Sequence, residues 1–168
     1  IKSWGGMHIC CKIDEMQRFR EWYGRPQKSF AVMVKDIRTA EQYGEITDDE
    51  RKLLISNRRP VVLVRKKKAE QVSPGLDTIG LYLPYAGLHY LLFSFLKTDA
   101  LVMTSANVPG EPMMICNKEA FTLGADAYLL DDRDIPNRIE ASVLRLWRGN
   151  TFFMRKSRCF VPEPFDVS

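Results

Sequence analysis

Apolar positions along the chain switch between a helical and a strand-like period, and the switches mark out the elements. Ile13, Met16, Phe19 and the pair Trp22/Tyr23 recur at three-to-four spacing, which places them on one face of a helix. Asp14 stands where a cap belongs, and Gly24 followed by Pro26 stops the run. Residues 30–34 are then a short apolar strand, and a second helical stretch runs to about Tyr43 and stops at Gly44. Thr47-Asp48-Asp49-Glu50 spells a capping box for a third helix, which Arg59-Pro60 ends ahead of a strand at 61–65. After Ser73-Pro74-Gly75, a strand near 79–83 leads through Pro84 and Gly87 into an apolar helix that runs through Leu96. Residues 101–104 read as a buried strand, and their outlet, 105–112, is a polar turn that can continue neither structure. A helix near 118–123, a strand at 127–130 and a hairpin of 142–147 with 151–155 across Arg148-Gly149-Asn150 complete the pattern. The alternation predicts an α+β fold of α/β layers, a mixed β-sheet with packed helices.

With 168 residues, 45% of them apolar, the chain suits one compact domain spanning 1–168. Its apolar runs fall far short of the roughly 18–20 residues that cross a bilayer, so no membrane partner is expected. Cys10, Cys11, Cys116 and Cys159 have neither disulfide-framework nor zinc-knuckle spacing and read as reduced thiols of a cytoplasmic protein. With His8 and His89 as the two imidazoles, a transition-metal site lacks ligands, and a bound metal is expected to be Mg²⁺ arriving with a nucleotide. The net charge of +4 favours anionic partners weakly. The run Arg65-Lys66-Lys67-Lys68 lacks the interleaved aromatics of an RNA-stacking surface and reads as a solvated strand end. Ile1-Lys2 before Ser3-Trp4-Gly5-Gly6 looks like a strand end entering a glycine turn, so an upstream element is expected to be missing. Residues 161–168 look like the start of an interdomain linker, and both ends then resemble cuts in a longer polypeptide.

Neither G-x-x-x-x-G-K-[ST] nor G-x-G-x-x-G occurs, which disfavours the common nucleotide folds and leaves Gly5-Gly6 a weak phosphate-loop signal. Arg25-Pro26-Gln27-Lys28 sets two cations beyond a helix end, where a proline-fixed turn can aim them at an anion; a plain surface helix stop reads equally well. Thr104-Ser105-Ala106-Asn107 offers hydroxyls, an amide and backbone N–H groups directly after a buried strand, where open α/β sheets bind ligands.

Taken in order, the strings are specific. Lys2-x-x-Gly5-Gly6-x-His8, Arg25-Pro26-x-Lys28-x-Phe30, Pro74-Gly75-Leu76-Asp77-Thr78 and Leu83-Pro84-Tyr85-x-x-Leu88-His89 are followed by Thr104-Ser105-x-Asn107, Asn137-Arg138-x-x-x-Ser142 and Arg155-x-Ser157-Arg158. Together they resemble the YrdC-like domain of HypF-type carbamoyltransferases over nearly the whole chain. The resemblance implies a YrdC/RibB-like twisted mixed sheet around a basic cavity where ATP, with Mg²⁺, meets carbamate derived from carbamoyl phosphate. Carbamoyl-adenylate and pyrophosphate would be the products, in [NiFe]-hydrogenase maturation, with neighbouring HypF-type domains or a HypE-like acceptor as partners. A threonylcarbamoyl-adenylate synthase and a non-catalytic nucleotide- or RNA-binding module are the alternatives.

By the same carry-over Arg25 and Lys28 are the catalytic cations and Arg158 a further phosphate contact. Thr104, Ser105 and Asn107 touch nucleotide or acyl group, Lys2 sits at the cavity floor, Ser142 lines the phosphate path and His89 shapes the pocket. Arg25, Lys28, Ser105, Asn107 and Ser142 are expected to line one pocket. The family pattern is broken at Tyr23, where a lysine is usual, at Ser3-Trp4 in the glycine turn, and at Ile139-Glu140-Ala141, where two carboxylates are replaced. Lysine restored at Tyr23 is expected to tighten ATP binding.

Overall fold

Side chains along a strand point alternately to its two faces, and in this sheet the two sets belong to different environments. The computed structural model describes every residue except Pro109 and 165–168, so the 105–112 outlet and the proposed linker fall partly outside the described residues. Its strands are β1 (His8–Lys12), β2 (Ala31–Val34), β3 (Gly44–Glu45), β4 (Val61–Lys66), β5 (Thr78–Tyr82), β6 (Ala100–Ser105), β7 (Val143–Trp147) and β8 (Asn150–Arg155). They form one mixed sheet in the order β1-β6-β2-β5-β4-β7-β8, with β3 paired to β4. The β2/β5 and β4/β7 pairs are parallel and the others antiparallel.

Val32, Val62, Ile79, Leu81, Val102 and Leu144 face the main core. Helices α1 (Met16–Tyr23), α2 (Ile37–Tyr43) and α3 (Asp48–Ile55) supply Met16, Phe19, Ala40 and Leu54 to that core. The opposite face carries Met33, Tyr82, Leu101 and Met103, which pack with Phe93 of α4 (Gly87–Phe95). Where α4 does not reach, this second face lies open.

Local chemistry sets the element ends. Gly24 closes α1 in the left-handed conformation, φ 65°, with its N–H on the Arg20 and Glu21 carbonyls. Thr47 and Glu50 form the expected capping box on α3. Asp14 is not a cap; it lies in a 3-10 turn, Ile13–Glu15, and α1 starts at Met16 without a side-chain cap. Gly44 stops α2 in extended backbone that pairs with β4, where an added Cβ would lie 2.4 Å from Val64 Cγ2. The 118–123 helix is one short turn, α5 (Asn117–Ala120), followed by a 3-10 turn. Residues 127–130 form no strand; the Lys2 N–H to Leu129 carbonyl bond, 2.9 Å, joins them to the chain start without building a ladder. The β7–β8 turn has two residues, Arg148 and Gly149, both at positive φ, with Asn150 already paired to Trp147.

Candidate anion-binding cleft

The open part of the second face becomes a cleft because its floor is made of small residues. Ala31 and Gly80 are register partners on the parallel strands β2 and β5, and Leu63 lies opposite Gly80 across the antiparallel pair. The resulting cavity, about 360 Å³, is walled by Phe30, Leu63, Tyr82 and Met103, with polar groups around its rim.

Two cations line it, and a third stands behind them. Lys28 and Arg155 line the cavity. Burial first, and then the charges of Arg25 and Arg155, pull the Lys28 ammonium below its ordinary pKa. The turn that carries Arg25 and Lys28 is held by Arg20, a buried guanidinium of α1 that donates to the carbonyls of Arg25, Pro26 and Lys28 on one side and of Gln71 and Val72 on the other. Arg25 itself does not line the cavity; its guanidinium carbon lies 5.3 Å from the Tyr23 ring centroid and its Nε has no hydrogen-bond partner. The carboxylate on the cavity wall is Glu140, which is ion-paired with Arg155.

Opposite the cations, Thr104, Ser105 and His8 line the cavity. The Ser105 hydroxyl donates to Asn107 Oδ1 at 3.0 Å, and the Asn107 amide nitrogen donates to the Val108 and Glu111 carbonyls. Asn107 is buried and off the cavity, so it orients Ser105 and closes the loop. The Tyr23 hydroxyl donates to the Asn107 carbonyl oxygen at 2.8 Å and lies 3.2 Å from its Oδ1. Tyr23 is therefore a buried brace packed on Phe19 and Phe30, not a vacant cationic position facing the cavity.

The other anticipated residues stand behind the wall or away from it. Ser142, fully buried, donates to the Arg158 carbonyl and accepts the Ser157 N–H, fixing the 157–158 segment to the sheet. Arg158 stacks 3.8 Å from the Tyr85 ring centroid and donates to the Arg59 carbonyl. His89 is fully buried, packs edge-on against Tyr85, and burial with the nearby Arg158 charge lowers its pKa to about 4. Lys2 is buried with Nζ on the Asp131 and Arg133 carbonyls, next to a smaller cavity with Ser3, Trp4 and Leu88. The Gly5-Gly6 turn spends its lack of side chains on its own chain: a Cβ at Gly5 would lie 2.3 Å from the Ile139 oxygen.

Of the five residues expected to share a pocket, Lys28 and Ser105 line it, while Arg25, Asn107 and Ser142 lie outside its lining. Sequence reasoning passed over Arg155, His8, Glu140 and Arg20. Arg155 and His8 stood within the matched strings, which was the available signal.

Comparisons with known proteins agree on the family. The Sua5/YciO/YrdC family model, described as telomere recombination, matches residues 1–157. The probable carbamoyltransferase HypF of Methanocaldococcus jannaschii is 43% identical over 100% of this chain and 23% of its own length. The crystal structure of T. kodakarensis HypF superposes with a TM-score of 0.92 at 44% identity, covering 98% of this chain and 23% of that one. Full-length HypF in a phosphate- and nucleotide-bound form gives 0.90 at 38% identity, over 96% of this chain and 27% of that one. The chain spans about a quarter of the length of the curated relatives it matches.

Proposed function

The chain belongs to the Sua5/YciO/YrdC family as a YrdC-like domain of the HypF carbamoyltransferase type, and we propose that its cleft binds ATP and forms carbamoyl-adenylate. The carrying observation is the convergence of Lys28 and Arg155, with Arg25 behind them, against mutual repulsion and beside a single carboxylate. Such a cluster is stabilised when an anion enters it. Thr104 and Ser105 supply hydroxyls across a cavity of a size that takes a small polar ligand or the reacting end of a nucleotide.

In the proposed reaction a carbamate oxygen attacks the α-phosphorus of ATP, a new O–P bond forms, and the bond to pyrophosphate breaks with its electron pair leaving on the pyrophosphate. Lys28 and Arg155 hold the phosphates and offset charge as it grows on the leaving group, while Ser105, aimed by Asn107, orients the acyl end. Among the described residues no three His, Cys, Asp or Glu gather into a metal cluster, and Glu140 is engaged by Arg155. In this reading Mg²⁺ would arrive with the ATP phosphates and would offset their charge. A HypE-like protein in the cytoplasm, or a neighbouring HypF-type domain, would take the carbamoyl group onward.

The test is Mg-ATP titration followed by ATP–pyrophosphate exchange, with carbamate supplied directly and threonine plus bicarbonate as the comparison. Saturable binding, and exchange with carbamate but not threonine, are expected. Binding that survives Lys28→Ala/Arg155→Ala with the circular dichroism unchanged would overturn the assignment of the cleft.

A further inference from the structure

Several lysine ammoniums of this chain are held by oxygen partners. Lys2 donates to the Asp131 and Arg133 carbonyls, Lys35, Lys52 and Lys66 pair with Asp99, Asp49 and Glu70, and Lys67 donates to the Glu41 carbonyl. Lys28 has no such partner. Its Nζ makes no hydrogen bond or ion pair among the described residues, and Glu140, the carboxylate on the cleft wall, is engaged by Arg155.

The surroundings of Lys28 favour an amine over an ammonium. The side chain is half-buried, with Nζ 5.6 Å from the Phe30 ring centroid, and Arg20 fixes the backbone beneath it by donating to the Lys28 carbonyl at 2.7 Å. Arg155 shares the cleft wall and Arg25 stands behind, so two permanent positive charges act on a third. Burial and those charges lower the Lys28 pKa, which raises the fraction that carries a free electron pair near neutral pH. The same cations draw small anions into the cavity. An amine desolvated beside other cations is an activated nucleophile, and here it shares its space with an anion trap.

We propose that Lys28 is a carbamoylation site, modified by small carbamoyl electrophiles that enter the cleft as anions, and that the modification closes the cleft to phosphate. Cyanate, the ion that carbamoyl phosphate releases as it decomposes in water, is the simplest such reagent. The Lys28 ammonium passes a proton to the cyanate ion, which leaves an amine and isocyanic acid side by side. The amine electron pair attacks the isocyanic carbon and an N–C bond forms. The C=N π bond breaks toward its own nitrogen, which takes a further proton from the Lys28 nitrogen. The product is a neutral urea on Nζ, and nothing is released. With the ammonium goes a charge-assisted contact to phosphate. The proposal rests on the anion-binding reading of the cleft and not on adenylate formation.

The experiment treats the protein with potassium cyanate near neutral pH and follows urea formation at each lysine by peptide mass mapping. Lys28 is expected to react about tenfold or more faster than the exposed Lys12 and Lys118. Added pyrophosphate should bring the Lys28 rate toward that of Lys12, and so should Arg155→Gln with the circular dichroism unchanged. Pyrophosphate affinity should fall in step with the modified fraction. A Lys28 rate no higher than those of Lys12 and Lys118 would overturn the proposal. So would a fast rate that neither pyrophosphate nor Arg155→Gln lowers, because exposure alone would then account for it. Selective, pyrophosphate-protected modification of Lys28 in a protein that fails to bind Mg-ATP would end the ATP reading and leave this one standing.

Discussion

The Tyr23 hydroxyl and the Asn107 carbonyl oxygen, 2.8 Å apart, tie the last turn of α1 to the outlet of β6. The two segments that carry the cations and the hydroxyls of the cleft are thereby fixed to each other. Tyr23→Phe keeps the ring packing and leaves the Asn107 carbonyl oxygen without this donor. A loss of about 1–3 kcal/mol in urea unfolding is expected. Tyr23→Lys would place an ammonium among Phe19 and Phe30 and should destabilise more. A lysine variant as stable as the parent, with tighter ATP binding, would return Tyr23 to the cationic role its sequence position first suggested.

Lys28 and Glu140 should act in opposite directions on phosphate affinity. Lys28→Ala removes a charge-assisted contact and is expected to weaken Mg-ATP about tenfold or more. Glu140→Gln frees Arg155 from its carboxylate partner and removes the negative charge on the wall, so binding should tighten severalfold. Calorimetric titration of both variants reads the sign directly. Weaker binding in the glutamine variant would mean that Glu140 serves the ligand by holding Arg155 in place.

Arg20 is expected to behave as a positioning residue for the Arg25–Lys28 turn. Arg20→Met leaves several carbonyls without a donor and should cost about 3 kcal/mol or more in unfolding free energy. Arg20→Lys restores one charge without the planar fork. It should recover part of the stability while ATP affinity stays low, a split that lost packing alone does not produce.

The helices were legible because their signals are local. Gly24 and the Thr47–Glu50 box act within a turn of the residues they terminate, and both hold as read. β1 went unread because His8–Lys12 becomes a strand through pairing with β6, far along the chain, and two adjacent cysteines before a lysine do not announce it. Residues 127–130 show the reverse: an apolar stretch with strand character that finds no ladder. Lys28 and Ser105 could be singled out from turns that follow regular elements. Arg155 stood in a matched string, but its approach to Lys28 was not legible there, because it depends on β8 lying beside β7 and β7 beside β4.

Two imidazoles, His89 fully buried and His8 half-buried at the cleft wall, predict how stability responds to acid. Burial, with the charges of His89, the Ile1 amine and Arg158 adding to it, lowers His8 to about 3. Burial and Arg158 lower His89 to about 4. Both folded values lie below the ordinary 6.5, so the unfolded chain binds more protons between them. Their contribution is complete above about pH 6.5 and is lost as pH falls through 4 and then 3. For His89 this amounts to at most about 3 kcal/mol. The urea midpoint should fall as the solution is acidified from pH 6.5, and His89→Leu should flatten the slope between 6.5 and 4. An unchanged slope would place the acid sensitivity in the carboxylates.

Lys2 reaches across 129 positions of sequence to the Asp131 carbonyl, and β1 meets β6 across 89 to 97. Contacts between such distant positions require most of the chain to be arranged before they yield any stabilisation, because the loop they close is long. On a ribosome residues 2–12 would therefore emerge well before their partners existed. They would wait, with Met7 and Ile9 exposed to water, until synthesis had passed residue 133. Within this stretch of 168 residues the segment made first is thus among the last able to settle, and its apolar side chains stay open to other contacts during that interval.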